Sequence, residues 1–386
     1  MGHLGEKKAY QIYKLLFARS LAKLQIFLLL FLIKIIIMVQ VKKHGIILKK
    51  TDLGFENAGV LNPAAIREGD HVHIFYRALR HGNYSTIGYC RLDGPLTVGE
   101  RFDIPVLFPQ HDNESHGIED PRVTVIEGVY YMTYTAYDGL NALGAYATSS
   151  FLPNFDKKGV ITAQISYEDF RHLAESKRPL NEKYVRYNGQ HHFNGSTDKK
   201  PLLWNKNIVF FPRRINGKIF FLHRIKPDIQ IAAVYKLEDL TATFWEDYFL
   251  HFHDNILLEP HYGHEISYIG GGCPPIETEH GWLIIYHGVH DTIAGYRYVA
   301  CAALLNLENP TQVISRLPYA LFGPHEDYEL TGIVNNVCFP TGAALFGDDL
   351  YIYYGAADEQ IACASVSISE LLAALLAQVG NEESNT

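Results

Sequence analysis

The stretch HGIEDPRVTVIEGVYYMTYTAYD, from His116 to Asp138, places Glu119, Asp120 and Arg122 directly before ten residues that read as a buried strand. Charges are costly to bury, and proline removes a ladder hydrogen bond, so the tetrad needs a chemical reason for its position. Adjacent carboxylates with a guanidinium can carry acid–base work on a polar ligand. Other groups of the right type recur beside similar segments: Asn62 in NPAAI, Arg77 in FYRA, Tyr134 in YYMTYTA, Lys206 with Asn207, Arg224 in LHR, Tyr268 before GGGCPPI, His287 in YHGV and Asp358 in GAAD. A pocket holding two acids, several bases and tyrosines suits a polyhydroxylated ligand. Structural alternatives stand beside these roles. Arg122 could pair with Glu119 or Asp120, Asp358 could cap a turn, and His287 could be a hydrogen-bonded core histidine. His261, Tyr262 and His264 precede Glu265 without any carboxylate–histidine spacing of a known metal site, so no metal is expected. His191 and His192 sit in a polar loop.

These groups need elements to bring them together. Five aromatic, β-branched runs look alike: HVHIFYRA (71–78), VYYMTYTA (129–136), KIFFLHRI (218–225), GWLIIYHGV (281–289) and DLYIYYGAAD (349–358). Each follows a Pro-bearing strand: NPAAI (62–66), DPRVTVI (120–126), FPRRI (211–215), PPIETE (274–279) and FPTGAAL (339–345). Gly69-Asp70, Gly128, Asn216-Gly217, Gly281 and Gly347-Asp348 stand between the members as hairpin turn signals. The prolines at 63, 121, 212, 275 and 340 are 58, 91, 63 and 65 residues apart. About 60 residues accommodate a four-stranded sheet. The pattern predicts an all-β chain, a five-bladed β-propeller, with an open set of hairpins or a sandwich as the alternative. The long second gap marks an insertion near 160–200. SISELLAALLAQV (367–379) predicts a short C-terminal amphipathic helix. In a propeller the Pro-bearing strand would line the channel, with its front end and the end of the second strand opening at one mouth.

The bulk numbers agree with such a domain. The 386 residues are 47% hydrophobic and 13% aromatic, with 25 Tyr, and carry a net charge of −8. That balance argues against a nucleic-acid partner. Cys90, Cys273, Cys301, Cys338 and Cys363 form no Cys-x-x-Cys pair and read as reduced thiols of a cytoplasmic protein. The N-terminus carries Lys7, Lys8, Lys14, Arg19 and Lys23, then IFLLLFLIKIIIMV, which Lys34 interrupts. The run is short for a membrane span. We expect translation to start at Met38, with residues 1–37 an over-extension and 38–386 one catalytic domain; a membrane anchor or export segment is the alternative.

The ordered motifs NPAAI, FYRA, GIEDPR with YYMTYTA, FFPRRINGKIFFLHR, IGGGCPPIETEHGWLIIYHGV and YYGAAD resemble glycoside hydrolase family 130 over roughly residues 50–375. That resemblance implies a five-bladed propeller and inverting cleavage of β-mannosides, mostly by phosphorylases that release mannose 1-phosphate. It implies Asp120 as general acid, acting through a mannosyl hydroxyl, with Glu119 raising its pKa. Asn62, Arg77, Glu119, Arg122, Tyr134, Lys206, Asn207 and Asp358 would bind substrate. Arg224, Tyr268 and His287 would hold phosphate, with Tyr268 standing where the family carries a lysine and so bringing no charge. No organic cofactor or metal is implied; inorganic phosphate would be the co-substrate, the partner a β-mannooligosaccharide or mannosyl disaccharide, and homo-oligomers are common. Two other readings are open: an inverting β-mannosidase with Glu265 as the water-activating base, for example on β-1,2-mannosides, and a non-catalytic sugar-binding propeller.

Overall fold

The computed structural model describes residues 38–189, 200–293 and 295–379. The N-terminal extension over 1–37, and His191 and His192, lie outside the described residues. Contacts divide the chain after Gln40, and the unit from Val41 onward contains the sheets.

The described strands form antiparallel meanders. The first runs β2 (Gly59–Glu68), β3 (His71–Arg80), β4 (Tyr84–Asp93) and β5 (Thr97–Arg101); the second β6 (Gly117–Ile126), β7 (Val129–Tyr137), β8 (Ala142–Ser149) and β9 (Asp156–Val160). The third has β10 (Lys206–Phe210), β11 (Ile219–Arg224), β12 (Ile229–Val234) and β13 (Ile256–Leu258). In the fourth, β14 (Tyr268–Gly271) and β15 (Ile276–Thr278) both pair with β16 (Gly281–Thr292), which continues to β17 (Gly295–Leu305) and β18 (Val313–Arg316). The fifth runs β19 (Cys338–Phe346), β20 (Asp349–Ala356) and β21 (Gln360–Ser367), and its outer partner is β1 (Val41–Leu48) from the other end of the chain. One parallel pair, Ser85 opposite Gly117, joins the first two meanders into one sheet. Among the described residues no sheet closes on itself. The architecture is therefore mostly β. First strands meet: β2 packs on β6 and β19, β6 on β10, and β10 on β14.

The predicted pairs of strands hold at four of the five places. Glu127-Gly128 and Asn216-Gly217 both take positive φ at both residues, as a two-residue type I′ turn requires. The exception is FPRRI. The strand it was expected to form ends at Phe210, and the chain leaves the sheet at Pro212. Arg213 and Arg214 then reach outward to Glu277, Glu308 and Glu127. A proline cannot donate to the ladder, and two arginines seek water and surface acids rather than a sheet face.

A buried device recurs in four meanders. Glu56 accepts from Tyr76 and Arg101, Glu114 from Tyr134 and Lys157, Glu265 from Tyr286 and Arg316, and Glu329 from Tyr354 and Lys43. Each glutamate precedes its first strand, each tyrosine lies on the second strand, and each cation lies on the outermost strand. The clamp thus ties the inner and outer edges of one sheet. All four carboxylates are buried and paired, which is the condition for tolerating such a charge. The third meander uses a neutral version: His223 bonds Asn205 at 3.0 Å and the Tyr248 hydroxyl at 2.7 Å. Burial pushes that imidazole down to about 3.

Helices add to the sheets at the insertion, between β12 and β13, and at the C-terminus. α1 (Tyr167–Ala174), α2 (Glu182–Asn188) and α3 (Ala242–Leu250) pack Phe170, Tyr184, Trp245 and Phe249 against the third meander. The last of these was not expected from the sequence; its ATFWEDYFL is apolar on most sides rather than on one stripe. The predicted C-terminal helix is α4 (Ile368–Leu376), with Ser367 accepting from the Glu370 amide at its start and Leu371, Leu372 and Leu375 buried.

Candidate active site

Three inner strands bulge at the same place. Pairing shifts register between Leu61 and Ala64 in β2, between Glu119 and Arg122 in β6, and between Lys206 and Val209 in β10. At each bulge one residue takes left-handed backbone: Asn62 (φ 50°), Asp120 (φ 51°) and Asn207 (φ 52°). Asn and Asp tolerate this region better than other side-chain-bearing residues, and a bulge re-aims its side chain out of the normal alternation. The device brings Asn62 and Asp120 together; the Asn62 amide donates to Asp120 Oδ1 at 2.7 Å.

Around them the second strands and β10 supply cations. Arg77 donates to Glu119 Oε1 at 2.8 Å, and its other terminal nitrogen lies 3.8 Å from Asp120 Oδ1. Lys206 donates to Glu119 Oε2 at 3.1 Å. Burial by itself would raise the Asp120 carboxyl, but Lys206, Arg77, Arg122 and the Asn62 hydrogen bond outweigh it and hold Asp120 below its ordinary range. This corrects the expectation that Glu119 raises it: the cations shared between the two acids dominate. Asp358, also at positive φ, is the acid that rises. Burial pushes it up to about 6, with Asp120 and Glu119 adding to the effect and Arg77 and Lys206 opposing it.

That shift carries a stability prediction. A folded value of about 6 against 3.8 means the fold loses stability as pH rises from about 4 through about 6. The upper bound is about 3 kcal/mol, and the partial exposure of Asp358 reduces it. Asp358→Asn is expected to be about 1–2 kcal/mol more stable than wild type at pH 8 and equal to it at pH 3. Urea unfolding at the two pH values measures this; a difference that does not change with pH sinks it.

Next to the acids lies a second group. Arg224, at the end of β11, donates to His287 Nε2 at 3.1 Å. A guanidinium only donates, so the His287 proton sits on Nδ1, which is buried without a partner among the described residues. Burial first, then Arg224, Arg122, Lys226 and Lys206, hold His287 neutral, far below its usual range. Gly270 makes this approach possible: a Cβ there would lie 2.5 Å from the His287 ring and 2.8 Å from Arg224 Cδ. Asn207 is likewise buried with both amide atoms unpartnered, as is Asn62 Oδ1. Buried polar atoms are normally satisfied, so these orphaned donors and acceptors mark where a polar ligand would bind.

Three expected site residues are used differently. Arg122 gives its donors to the backbone carbonyls of Asp120, Gly271 and Gly272, and burial lowers it to about 10. It buttresses the Asp120 bulge against β14 rather than reaching a ligand. Tyr134 belongs to the clamp on Glu114. Its counterparts on the second strands are Tyr76, His223, Tyr286 and Tyr354, one residue before Arg77, Arg224, His287 and Gly355, so alternation sends it to the other face. Glu265 is the clamp acid of the fourth meander. Its Oε1 accepts from Arg316 and the amides of His261 and Tyr262 and its Oε2 from the Tyr286 hydroxyl, so both oxygens are engaged in the clamp rather than aimed at a water. His264, Glu265 and Cys301 lie close enough to hold a metal, but both Glu265 oxygens are already engaged by the clamp, which argues against it. Glu265→Gln is expected to cost about 3 kcal/mol of stability while leaving substrate KM unchanged. Chemical denaturation with parallel kinetics tests this; lost turnover at full stability would restore a chemical role.

A family model described as β-1,4-mannooligosaccharide phosphorylase, that of glycoside hydrolase family 130, matches residues 46–198 and 183–376. The chain belongs to glycoside hydrolase family 130. It is 32% identical over 337 residues to a 1,2-β-oligomannan phosphorylase of Thermoanaerobacter, covering 84% of this chain and 96% of that protein. It is 31% identical over 325 residues to a β-1,2-mannobiose phosphorylase of the same organism, covering 81% and 91%. Its backbone is similar to the β-1,2-mannobiose phosphorylase of Listeria innocua in complex with β-1,2-mannobiose, with a TM-score of 0.65 and 25% identity, covering 87% of this chain and 99% of that one. As a family 130 enzyme it carries its two polar groups, Asp120 with Glu119 and Arg224 with His287, side by side.

Sequence reasoning missed Lys226 and Tyr298. Lys226 lies two residues past Arg224 in LHRIK, and that spacing was the available signal. Tyr298 on β17 meets the Tyr268 hydroxyl, a pairing that no local pattern reveals.

Proposed function

We propose that the protein is an inverting phosphorylase that cleaves β-1,2-linked mannosides with inorganic phosphate to give mannose 1-phosphate and a shortened mannoside. The observation that carries this reading is the buried, uncompensated Arg224–His287 pair next to the Asp120 acid. A hydrolase would need a second, free carboxylate to activate water, and Glu265 is not free. The names of the relatives favour the β-1,2 linkage.

Phosphate would enter on the Arg224 side as an anionic nucleophile, needing cations rather than a base. Its oxygen attacks the anomeric carbon as the glycosidic C–O bond breaks. Asp120 gives a proton to a mannosyl hydroxyl, which passes its own proton to the leaving oxygen. In the free protein the cations hold Asp120 low. Phosphate cancels part of that field and the sugar excludes water, and both changes raise the carboxyl toward a usable acid. Asn62, Asn207, Arg77, Lys206 and Asp358 would fix the sugar hydroxyls.

The same reading arranges the five meanders as blades about one axis, supported by the contacts between first strands and by the clamp repeated in four of them. It takes residues 38–386 as one catalytic domain and the enzyme as cytoplasmic, supported by five buried free thiols. No described helix is long and apolar enough to cross a membrane. Homo-oligomerisation is read from the solution mass of the purified protein.

The test is product analysis on β-mannobioses of each linkage, with and without phosphate. Mannose 1-phosphate formed only with phosphate, and fastest from the β-1,2 linkage, is expected. Free mannose at equal rates in both conditions would make the enzyme a mannosidase. Binding without turnover would leave a sugar-binding protein.

A further inference from the structure

Lys226 follows β11 by two residues. Its ammonium stands 4.0 Å from the centroid of the Tyr268 ring and 5.9 Å from that of Tyr187. The Arg224 guanidinium carbon is 5.7 Å from the same Tyr268 ring. One aromatic ring therefore lies within cation–π reach of two cations. The hydroxyl of that ring is directed to Tyr298, so what Tyr268 presents to the pocket is its ring rather than its hydroxyl.

The charge balance at this spot is one-sided. Among the described residues neither Arg224 nor Lys226 has a carboxylate within 4.0 Å. Lys206 is already matched by Glu119, and Arg122 by three carbonyls. Burial, then Arg224 and Lys206, hold the Lys226 ammonium far below the usual lysine range. Gathering desolvated like charges without counter-ions is unfavourable unless an anion completes the group. The unpartnered Nδ1 proton of buried His287 adds a neutral donor beside them.

We infer that Lys226 is a phosphate ligand, forming with Arg224 and His287 the cradle for the attacking dianion, while Tyr268 serves as the aromatic floor beneath the two cations. The inference rests on the phosphorylase reading. It makes good the charge whose absence at position 268 the sequence suggested, by moving the cation to the end of the neighbouring strand. An ammonium on a flexible stem is suited to following phosphate as a point charge, with Arg224 supplying fixed geometry.

The experiment compares wild type, Lys226→Met and Lys226→Arg in phosphorolysis of β-1,2-mannobiose, varying phosphate and mannoside separately. Lys226→Met is expected to raise phosphate KM about ten- to a hundredfold and mannoside KM less than about twofold. Lys226→Arg is expected to stay within about threefold of wild type for both, which keeps the test open if the methionine variant does not fold. A wild-type enzyme that needs no phosphate would overturn the phosphorylase reading, and the inference with it. A phosphate-dependent wild type whose methionine variant keeps its phosphate KM, or raises both KM values equally, overturns the inference alone. So does an arginine variant as impaired as the methionine one.

Discussion

Asp120→Asn is expected to lower turnover by about three to four orders of magnitude, with the fold intact. The substitution keeps size and keeps a residue type that tolerates φ near 51°, so the β6 bulge survives. Arg122 still donates to the backbone carbonyl at position 120, and an amide pair between Asn62 and the introduced side chain can replace the existing hydrogen bond. What disappears is the proton. The leaving oxygen must then depart unprotonated, and Glu119 does not substitute, because Arg77 and Lys206 bind it. Removing the negative charge also leaves Arg77, Lys206 and Arg122 less compensated, which strengthens phosphate binding slightly. The measurement is initial-rate release of mannose 1-phosphate alongside thermal unfolding. Turnover within tenfold of wild type, in folded protein, would remove Asp120 from the proton path.

The second large effect is expected at Arg224. Arg224→Met should lower kcat/KM for phosphate more than a hundredfold while changing mannoside KM little. Two losses combine. The guanidinium no longer offers charge-assisted donors to the dianion. His287 Nε2 also loses the donor that selects its tautomer, so the Nδ1 proton is no longer committed to one side. With one cation gone the imidazole rises toward its ordinary value, and phosphate KM in the variant should therefore fall as pH drops, as the ring gains charge. Separate saturation curves for the two substrates at three pH values settle it. Equal damage to both substrates would mean that Arg224 holds the pocket wall rather than the anion.

The parts read from sequence were those carried by short-range pattern. All five aromatic second strands, four of the five Pro-bearing first strands, and the C-terminal helix are stretches whose hydrophobic period or turn chemistry is local. FPRRI departs from the pattern because its proline cannot donate to a ladder and its two arginines pair with surface acids. Tyr134 and Glu265 failed together, and for one reason. Both types suit a sugar site, and only the repeated clamp reveals them as members of a buried ion-pair device.

By itself the sequence determined the class of strands and the five-fold recurrence of the aromatic second strand, and it singled out Asp120, Glu119, Arg224 and His287 as candidates, because residue type and spacing along one strand suffice for these. Only the tertiary structure decided which acid is held low and which is raised. That depends on Lys206 and Arg77 arriving from two other meanders, and Coulomb energies follow distance in space rather than in the chain. It also decided where the second anion-facing cation sits. Position 268 lacks a charge, yet the end of β11 brings Lys226 over the Tyr268 ring, and only the packing of two strands from different sheets makes them neighbours.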